Sequence, residues 1–332
     1  MNKINIGLIG FGRFGQNYFR TFNELEDVEV RWICSNTINT RKEMPLILND
    51  KIKTTIDYND ILNDDGVDAV AIVTPATTHY KIAKDAINSG KHVIVEKPLT
   101  LSSKDAEDLV KISNGKKKIL MVGHIHRYNP GIQKLKEDID KGKLGKINYL
   151  HYTHLGNGPV REDVNALWDF FPHTLTILDY FFDELPLSVN AKGACYLRKG
   201  IHDVVTVDIK LPDNVFIVAI GSWLYPFKRM GLVVTGEKKF ATFDDYAEKE
   251  KLKYYDNRPK IINGKAIMED KGYEAPKIGS GKPLTNQLKH FLDCIKSNKT
   301  PLTDGSKALK TIKVLEYAQE SLKFNGMEIE IK

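Results

Sequence analysis

The sequence predicts a two-part α/β chain: a doubly wound parallel sheet at the N-terminus, then an α+β domain built on a large, mostly antiparallel sheet. Three observations predict this. The length, 332 residues, suits about two domains at roughly 150 residues each. Over the first 122 residues, short Val- and Ile-rich runs alternate with amphipathic segments, the rhythm of parallel strands covered by helices on both faces. Beyond residue 123, strand-like runs follow one another directly, which implies antiparallel pairing. The expected division is therefore 1–122 and 123–332.

In the first part, strands are expected at Ile4–Ile9, Val28–Ser35, Ala69–Thr74, His92–Val95 and Ile119–Val122. Between two of them, Thr77–Ser89 places Ile82, Ala83, Ala86 and Ile87 on one helical face. The second part opens with a helix over Pro130–Lys141, a strand Ile147–Leu155 and an apolar helix Leu167–Phe182. Strands follow at Val189–Leu197, Val204–Leu211, Val215–Trp223, Gly231–Thr235 and Phe240–Phe243. Two helices, Asn286–Ser297 and Gly305–Phe324, and a strand Met327–Ile331 close the chain, with Asn325-Gly326 as a C-cap and turn.

Hydrophobic residues make up 42% of the chain and charged residues 28%, which excludes a disordered or fibrous protein. Lys plus Arg (49) exceeds Asp plus Glu (43) by six, spread along the length. That excess suits an anionic small molecule, whereas nucleic acid calls for a concentrated basic stripe. Cys34, Cys195 and Cys294 are scattered with no paired spacing, which argues against a disulfide framework or a cysteine zinc site and for a reducing compartment. No apolar run reaches the roughly 18 residues a membrane span needs. The apolar start is broken by Gly10, Gly12 and Arg13 and lacks a cleavage-site pattern, so it reads as a strand rather than a signal peptide. The expectation is a soluble, cytoplasmic protein that binds neither nucleic acid nor membrane.

Gly10-Phe11-Gly12-Arg13-Phe14-Gly15 follows the first strand directly and opens a helix. At this spacing the first glycine makes the tight turn, the second admits a pyrophosphate, and the third lets helix and sheet pack closely. The helix N-terminus then offers free N–H groups to the phosphates. NAD-binding proteins usually carry an acidic residue about 20 positions further on. Here Ser35, Asn36 and Thr37 stand there, with Arg41 and Lys42 nearby. Nothing in that stretch repels a 2′-phosphate, so the expected cofactor is NAD(P)(H), tilted toward NADP(H). The alternative is that Ser35 and Asn36 simply hydrogen-bond the ribose of NAD.

His92 to Pro98 places Lys97 at the C-terminal end of a buried parallel strand, the edge where doubly wound sheets bind ligands. Lys97 precedes a proline, which keeps its backbone out of the α region and makes the chain turn there. A lysine so placed suits acid–base work beside a nicotinamide, and equally fits a solvated loop. In the second part, Asp169 and His173 stand four apart at the entry of the apolar helix and share a face if that helix includes both. A carboxylate beside an imidazole orients it and supports its charge, as a general base requires. A capping aspartate and a core-edge histidine would give the same spacing.

Taken together these segments resemble the glucose–fructose oxidoreductase/inositol dehydrogenase family (Gfo/Idh/MocA). The resemblance runs through Gly10-x-Gly12-x-x-Gly15, Thr74-Pro75-Ala76-Thr77-Thr78-His79 and Gly90 to Leu99. It continues through Gly123-His124-Ile125-His126-Arg127-Tyr128-Asn129-Pro130 and Asp169-x-x-x-His173, almost the whole chain. It implies a Rossmann domain and Lys97, Asp169 and His173 as the catalytic group. Thr74, Pro75, His79, Glu96 and Lys97 join the glycine turn around the cofactor. Lys97, Arg127, Tyr128, Asn129 and His173 stand on the substrate side. The family likeness further implies a cis peptide before Pro98 and homodimers or homotetramers formed through the second-domain sheet.

A finer likeness lies in Gly158 to Asp169 with Pro172-His173, which is similar to the branch acting on nucleotide-linked sugars, notably 3-dehydrogenases of UDP-N-acetylglucosaminuronate. Arg161 and Asn165 would then meet the anionic or amide groups of the substrate. The alternative for Arg161 is a loop arginine paired with Glu162 or Asp163. The implied function is hydride transfer between nicotinamide and a sugar hydroxyl, most readily on a nucleotide-linked sugar. Its rivals are a dehydrogenase of free sugar, inositol or diol, and a non-catalytic nucleotide-sensing regulator.

Gly279-Ser280-Gly281-Lys282 is set aside as a phosphate loop because Pro276 holds the motif's first position and Pro283 follows the lysine. No metal is expected, since His151 and His154 would face opposite sides of a strand and no Cys or Asp cluster completes a site. The Phe170, Phe171, Tyr180, Phe181, Phe182 run reads as core.

Overall fold

The computed structural model describes residues 3–36, 52–156, 159–256, 259–268 and 271–332. Thr37, Arg41, Lys42 and Gly158 lie outside the described residues. By packing, the chain forms two units: residues 1–128 with 282–312, and residues 129–281 with 313–332.

The first unit is built on six parallel strands: β1 (Ile4–Ile9), β2 (Val28–Cys34), β3 (Lys53–Thr55), β4 (Ala69–Ile72), β5 (His92–Val95) and β6 (Leu120–Val122). Their order is β3-β2-β1-β4-β5-β6, the doubly wound arrangement, and the winding direction reverses between β1 and β4. β4 and β6 are buried throughout, as strands covered on both faces must be. Helix α1 (Arg13–Asn23) presents Gly15, Tyr18, Phe19 and Phe22 inward, a 3-4-7 stripe that one side of a helix can bury. Beyond β3 come α2 (Tyr58–Leu62), capped by Asp57, then α3 (Ala76–Asn88) and α4 (Ser103–Lys116).

The expected boundary at residue 122 differs from the packing division in an instructive way. Helix α7 (Pro283–Ser297), one turn longer at its N-terminus than expected and opened by Pro283, returns to the first unit. Its Leu288, Phe291, Leu292 and Cys294 sit in one core with Phe11, Tyr18, Phe19 and Phe22. The following loop closes the edge of β6, where Val122 N–H donates to Thr303 O at 2.8 Å. Sequence periodicity marks such a helix as amphipathic without saying which sheet receives it.

The second unit holds a nine-stranded sheet. Its first six strands in chain order are β7 (Ile147–Leu155), β8 (Ser188–Ala194), β9 (Val204–Leu211), β10 (Val215–Ser222), β11 (Arg229–Gly236) and β12 (Phe240–Asp244). β13 (Leu252–Tyr255), β16 (Tyr273–Glu274) and β17 (Ile329–Glu330) complete it, and β14 (Lys260–Ile262) with β15 (Lys265–Ile267) form a separate hairpin. The order is β16-β13-β12-β11-β7-β10-β9-β8-β17, antiparallel except that β10 runs parallel to β7. Helices α5 (Pro130–Asp140) and α6 (Ala166–Phe182) cover one face, α5 meeting β12 and α6 meeting β9 and β10. Helix α8 (Gly305–Lys323) ends in this unit. Leu150, Tyr152, Val207, Ile217, Leu232 and Phe243 are buried, whereas Tyr149, His151, Val218 and Val233 alternate onto the opposite, half-exposed face.

Candidate active site

In the first unit the three glycines take three different geometries. Gly10 has φ +98°, and a Cβ there would stand 2.4 Å from Val73 O. A Cβ on Gly15 would stand 2.2 Å from Gly10 O; the helix can close on the turn only because that hydrogen is not a methyl. Gly12, the N-cap of α1 with ordinary φ −67°, would meet nothing within 4 Å. The open space lies at the helix terminus, which has no side-chain cap and no acidic residue in its first turn. A cradle that a single methyl would intrude upon, lined by uncapped N–H groups, fits a dinucleotide diphosphate. Phe11 is core, edge-on to Phe19 at 5.7 Å, so only its backbone is available to a cofactor. Arg13 and Phe14 are exposed. Ser35 is half-buried with its N–H on Thr55 O, and Asn36 is exposed.

The loop after β4 and the turn after β5 are tied together. His79, buried, faces Pro98 O with Nδ1 (2.7 Å) and Thr74 O with Nε2 (2.9 Å). With both ring nitrogens facing backbone carbonyls, His79 joins the two loops. Thr74 in turn receives Thr78 Oγ1 at 2.7 Å, and Pro75 O accepts from the same hydroxyl. The Lys97-Pro98 peptide is cis, as the family likeness implied. Glu96 accepts the Lys97 N–H at 3.2 Å through one carboxylate oxygen and the Tyr18 hydroxyl at 2.6 Å through the other. Burial and that carboxylate hold the Tyr18 phenol well above its usual pKa.

Just past β6, His124 is 2% exposed, and neither ring nitrogen has a hydrogen-bond partner among the described residues. Burial first, then the charges of Arg127 and Lys97, push its pKa down to about 3. Arg127 is buried in the short 3-10 turn Ile125–Tyr128. Tyr128 turns into the unit's own interior, its hydroxyl 3.1 Å from Thr303 Oγ1 and its ring against His290. Such a phenol is core, and the substrate role expected for it finds no support here. In the second unit, Asn129 caps α5 through Gly131 N–H and donates to Asp245; its amide is likewise occupied by structure.

The entry of α6 gathers the second unit's chemistry. Asn165 caps the helix, accepting from Trp168 N–H, and its amide donates to Gln319 Oε1 at 2.9 Å. Asp169 lies in the first turn and accepts Trp223 Nε1–H at 2.9 Å and Arg161 Nη1–H at 3.5 Å. Arg161 turns its fork to Asp163, with Nε to Oδ1 at 2.8 Å and Nη2 to Oδ2 at 2.5 Å. This is the loop-pair alternative, extended to Asp169. His173, buried one turn after Asp169, stands 5.4 Å from the His154 ring between centroids. His154 also packs on Phe170 at 4.7 Å, on the side of β7 opposite His151. Because α6 begins at Ala166, Pro172 falls in its second turn. Trp223, Tyr18 and Gln287 carry no motif, and sequence reasoning missed all three. A tryptophan closing one strand and an aromatic three residues past the third glycine are their only signals.

The family profile described as "Oxidoreductase family, NAD-binding Rossmann fold" matches residues 4–124, and that of the GFO/IDH/MocA C-terminal domain matches residues 132–242. UDP-N-acetylglucosamine 3-dehydrogenase of Acidithiobacillus ferrooxidans is 26% identical over 308 residues, covering 92% of this chain and 93% of its own. The scyllo-inositol 2-dehydrogenase (NAD(+)) of Bacillus subtilis is 25% identical over 351 residues, 99% of this chain and 97% of that one. A solved structure of the A. ferrooxidans 3-dehydrogenase superposes with a TM-score of 0.83 at 21% identity, covering 98% and 99% of the two chains. With the glycine cradle and the Lys97 turn in place, the chain belongs to the Gfo/Idh/MocA family and is an NAD-binding oxidoreductase, a dehydrogenase of CH–OH groups.

Proposed function

We propose that this dehydrogenase oxidises one carbinol of a nucleotide-linked sugar, or in reverse reduces the corresponding ketone, with Lys97, Asp169 and His173 as its catalytic group. The observation that carries this is the built environment of Asp169, a carboxylate held by Trp223 and Arg161 one helical turn ahead of a buried histidine. When bound, the nicotinamide supplies the hydride acceptor. The residues of this chain manage the proton: His173 takes it from the hydroxyl, Asp169 supports the resulting charge, and Lys97 donates a hydrogen bond to the reacting oxygen. Lys97→Ala and His173→Ala are each expected to lower kcat by about 10² or more with NADH affinity kept. Near-wild-type turnover in either variant would remove that residue's role.

The similarity to the UDP-N-acetylglucosamine 3-dehydrogenase supports a nucleotide-linked substrate. A second reading, a free cyclitol or sugar, gains from the commitment of Arg161 to Asp163 and of Asn165 to Trp168 and Gln319, since groups so engaged are less available to an anionic substrate. Rates on UDP-N-acetylglucosamine and myo-inositol, measured side by side, separate the two. For the cofactor, the Ser35-Asn36 pair in place of an acid supports acceptance of NADP(H) as well as NAD(H), tested by comparing the affinities of NADH and NADPH. Self-association through the half-exposed face of the nine-stranded sheet is supported by the aromatic pair Tyr149 and Phe216, stacked 6.4 Å apart on it. Free Cys34, Cys195 and Cys294 support a cytoplasmic setting, and no described helix is long and apolar enough to cross a membrane.

A further inference from the structure

Three side chains of the first unit form a line ending at the turn that carries Lys97. Gln287, on α7, donates through Nε2 to the Tyr18 hydroxyl at 3.0 Å. Tyr18, on α1 one turn after Gly15, donates to Glu96 Oε1 at 2.6 Å. Glu96 Oε2 accepts the Lys97 N–H at 3.2 Å. The polarity of this line is set by chemistry. An ionised carboxylate only accepts, so the phenol must donate to it, and the Gln287 amide must then turn its N–H to the phenol oxygen. That orientation leaves Gln287 Oε1, fully buried, without a partner among the described residues. A buried amide oxygen in that state is costly, so the direction of the line is kept at the expense of a satisfied carbonyl.

The carboxylate is confined from its other side as well. A Cβ on Gly123 would stand 2.6 Å from Glu96 Oε1, so the residue just past β6 must be glycine for Glu96 to lie there. Tyr18 itself is fully buried, with its ring edge-on to Phe14 (5.7 Å) and Phe22 (6.1 Å). Ring packing alone would be served equally by phenylalanine; the hydroxyl is the part that reaches Glu96.

We propose that Tyr18 is a positioning residue for Lys97: its hydroxyl fixes Glu96, and Glu96 fixes the backbone from which the lysine side chain departs. This rests on the role proposed above for Lys97. It also joins the helix that receives the diphosphate to the turn that carries the lysine, through one phenol.

The test is a kinetic cycle on the full chain, assayed with NAD+ and whichever of UDP-N-acetylglucosamine and myo-inositol the wild type oxidises faster. Tyr18→Phe is expected to lower kcat roughly tenfold, with NADH affinity within about twofold, because small misplacements of a reacting group are costly to turnover. In a Lys97→Ala background the same change is expected to cost nothing further. A cost that stays tenfold there would mark Tyr18 as merely structural and overturn the proposal, as would a Tyr18→Phe enzyme with wild-type kcat. If Tyr18→Phe fails to fold, Glu96→Gln replaces it, with the same silence expected in the Lys97→Ala background and the same refutation if it is absent. A Lys97→Ala enzyme with full activity, or a wild type that oxidises neither compound, defeats the proposed function itself, and this inference with it.

Discussion

Gly12→Ala separates cofactor binding from folding. At Gly12, φ is −67° and a new Cβ meets nothing within 4 Å, so alanine neither strains the backbone nor displaces a neighbour. Stability should change by no more than about 1 kcal/mol, because the lower freedom alanine gives the unfolded chain is opposed by its poorer fit as the N-cap of α1. The same methyl, however, stands at the mouth of the uncapped α1 terminus, where phosphate oxygens must approach to hydrogen-bond distance. Losing one charge-assisted hydrogen bond there is worth about 1.5–3 kcal/mol, which is a rise in Kd of about 10- to 150-fold. NADH fluorescence titration reads the affinity, and thermal unfolding without ligand reads the fold. Gly15→Ala is the control. Its Cβ would stand 2.2 Å from Gly10 O, so helix and turn must part, and both Tm and affinity are expected to fall together. A Gly12→Ala protein that binds NADH within twofold of wild type would refute the placement of the diphosphate at this terminus.

Two further outcomes follow from buried polar groups. His124 and His92 are held neutral by burial, with pKa values lowered to about 3 and about 4. The unfolded chain takes up those protons from about pH 6.5 downward, while the folded chain does not. Their contribution to stability is therefore full above pH 6.5 and is lost as the pH falls toward 4, at up to about 1.4 kcal/mol per pH unit for a fully buried ring such as His124. His124→Phe, which sacrifices no hydrogen bond inside the protein, should flatten the decline of the urea midpoint between pH 6.5 and 4.5; an unchanged slope would clear His124 of the effect. Trp223→Phe removes the indole N–H that Asp169 accepts at 2.9 Å and is expected to lower kcat about tenfold at little cost to Tm. Wild-type kcat would show that the indole N–H is not needed to hold that carboxylate.

The legible parts of the fold are those where local pattern and final environment agree. β1, β7 and β9 begin and end at the expected residues, because their apolar runs are bounded by turn-forming or charged neighbours. β3, α2 and β13 are short, and β3 is polar; only pairing with a neighbour makes a strand of Lys53–Thr55, and no periodicity announces it. In the glycine turn, Gly10 and Gly15 are legible because backbone geometry constrains their type. Arg161 and Tyr128 were read toward a substrate because a long polar side chain looks the same in sequence whether it meets a ligand or a neighbouring aspartate. Tyr18 and Gln287 were invisible for the opposite reason: 269 positions separate them, and nothing local in either tells of the other.

The return of α7 to the first unit has a consequence for how this protein can be made and divided. Phe291 and Leu292 complete a core begun by Phe11, Phe19 and Phe22, so the nucleotide-binding half is not a stretch of chain that a cut near residue 128 could liberate. On a ribosome it must wait with an open apolar flank until Pro283–Ser297 has emerged. Exchange of modules between relatives must likewise carry both pieces or neither.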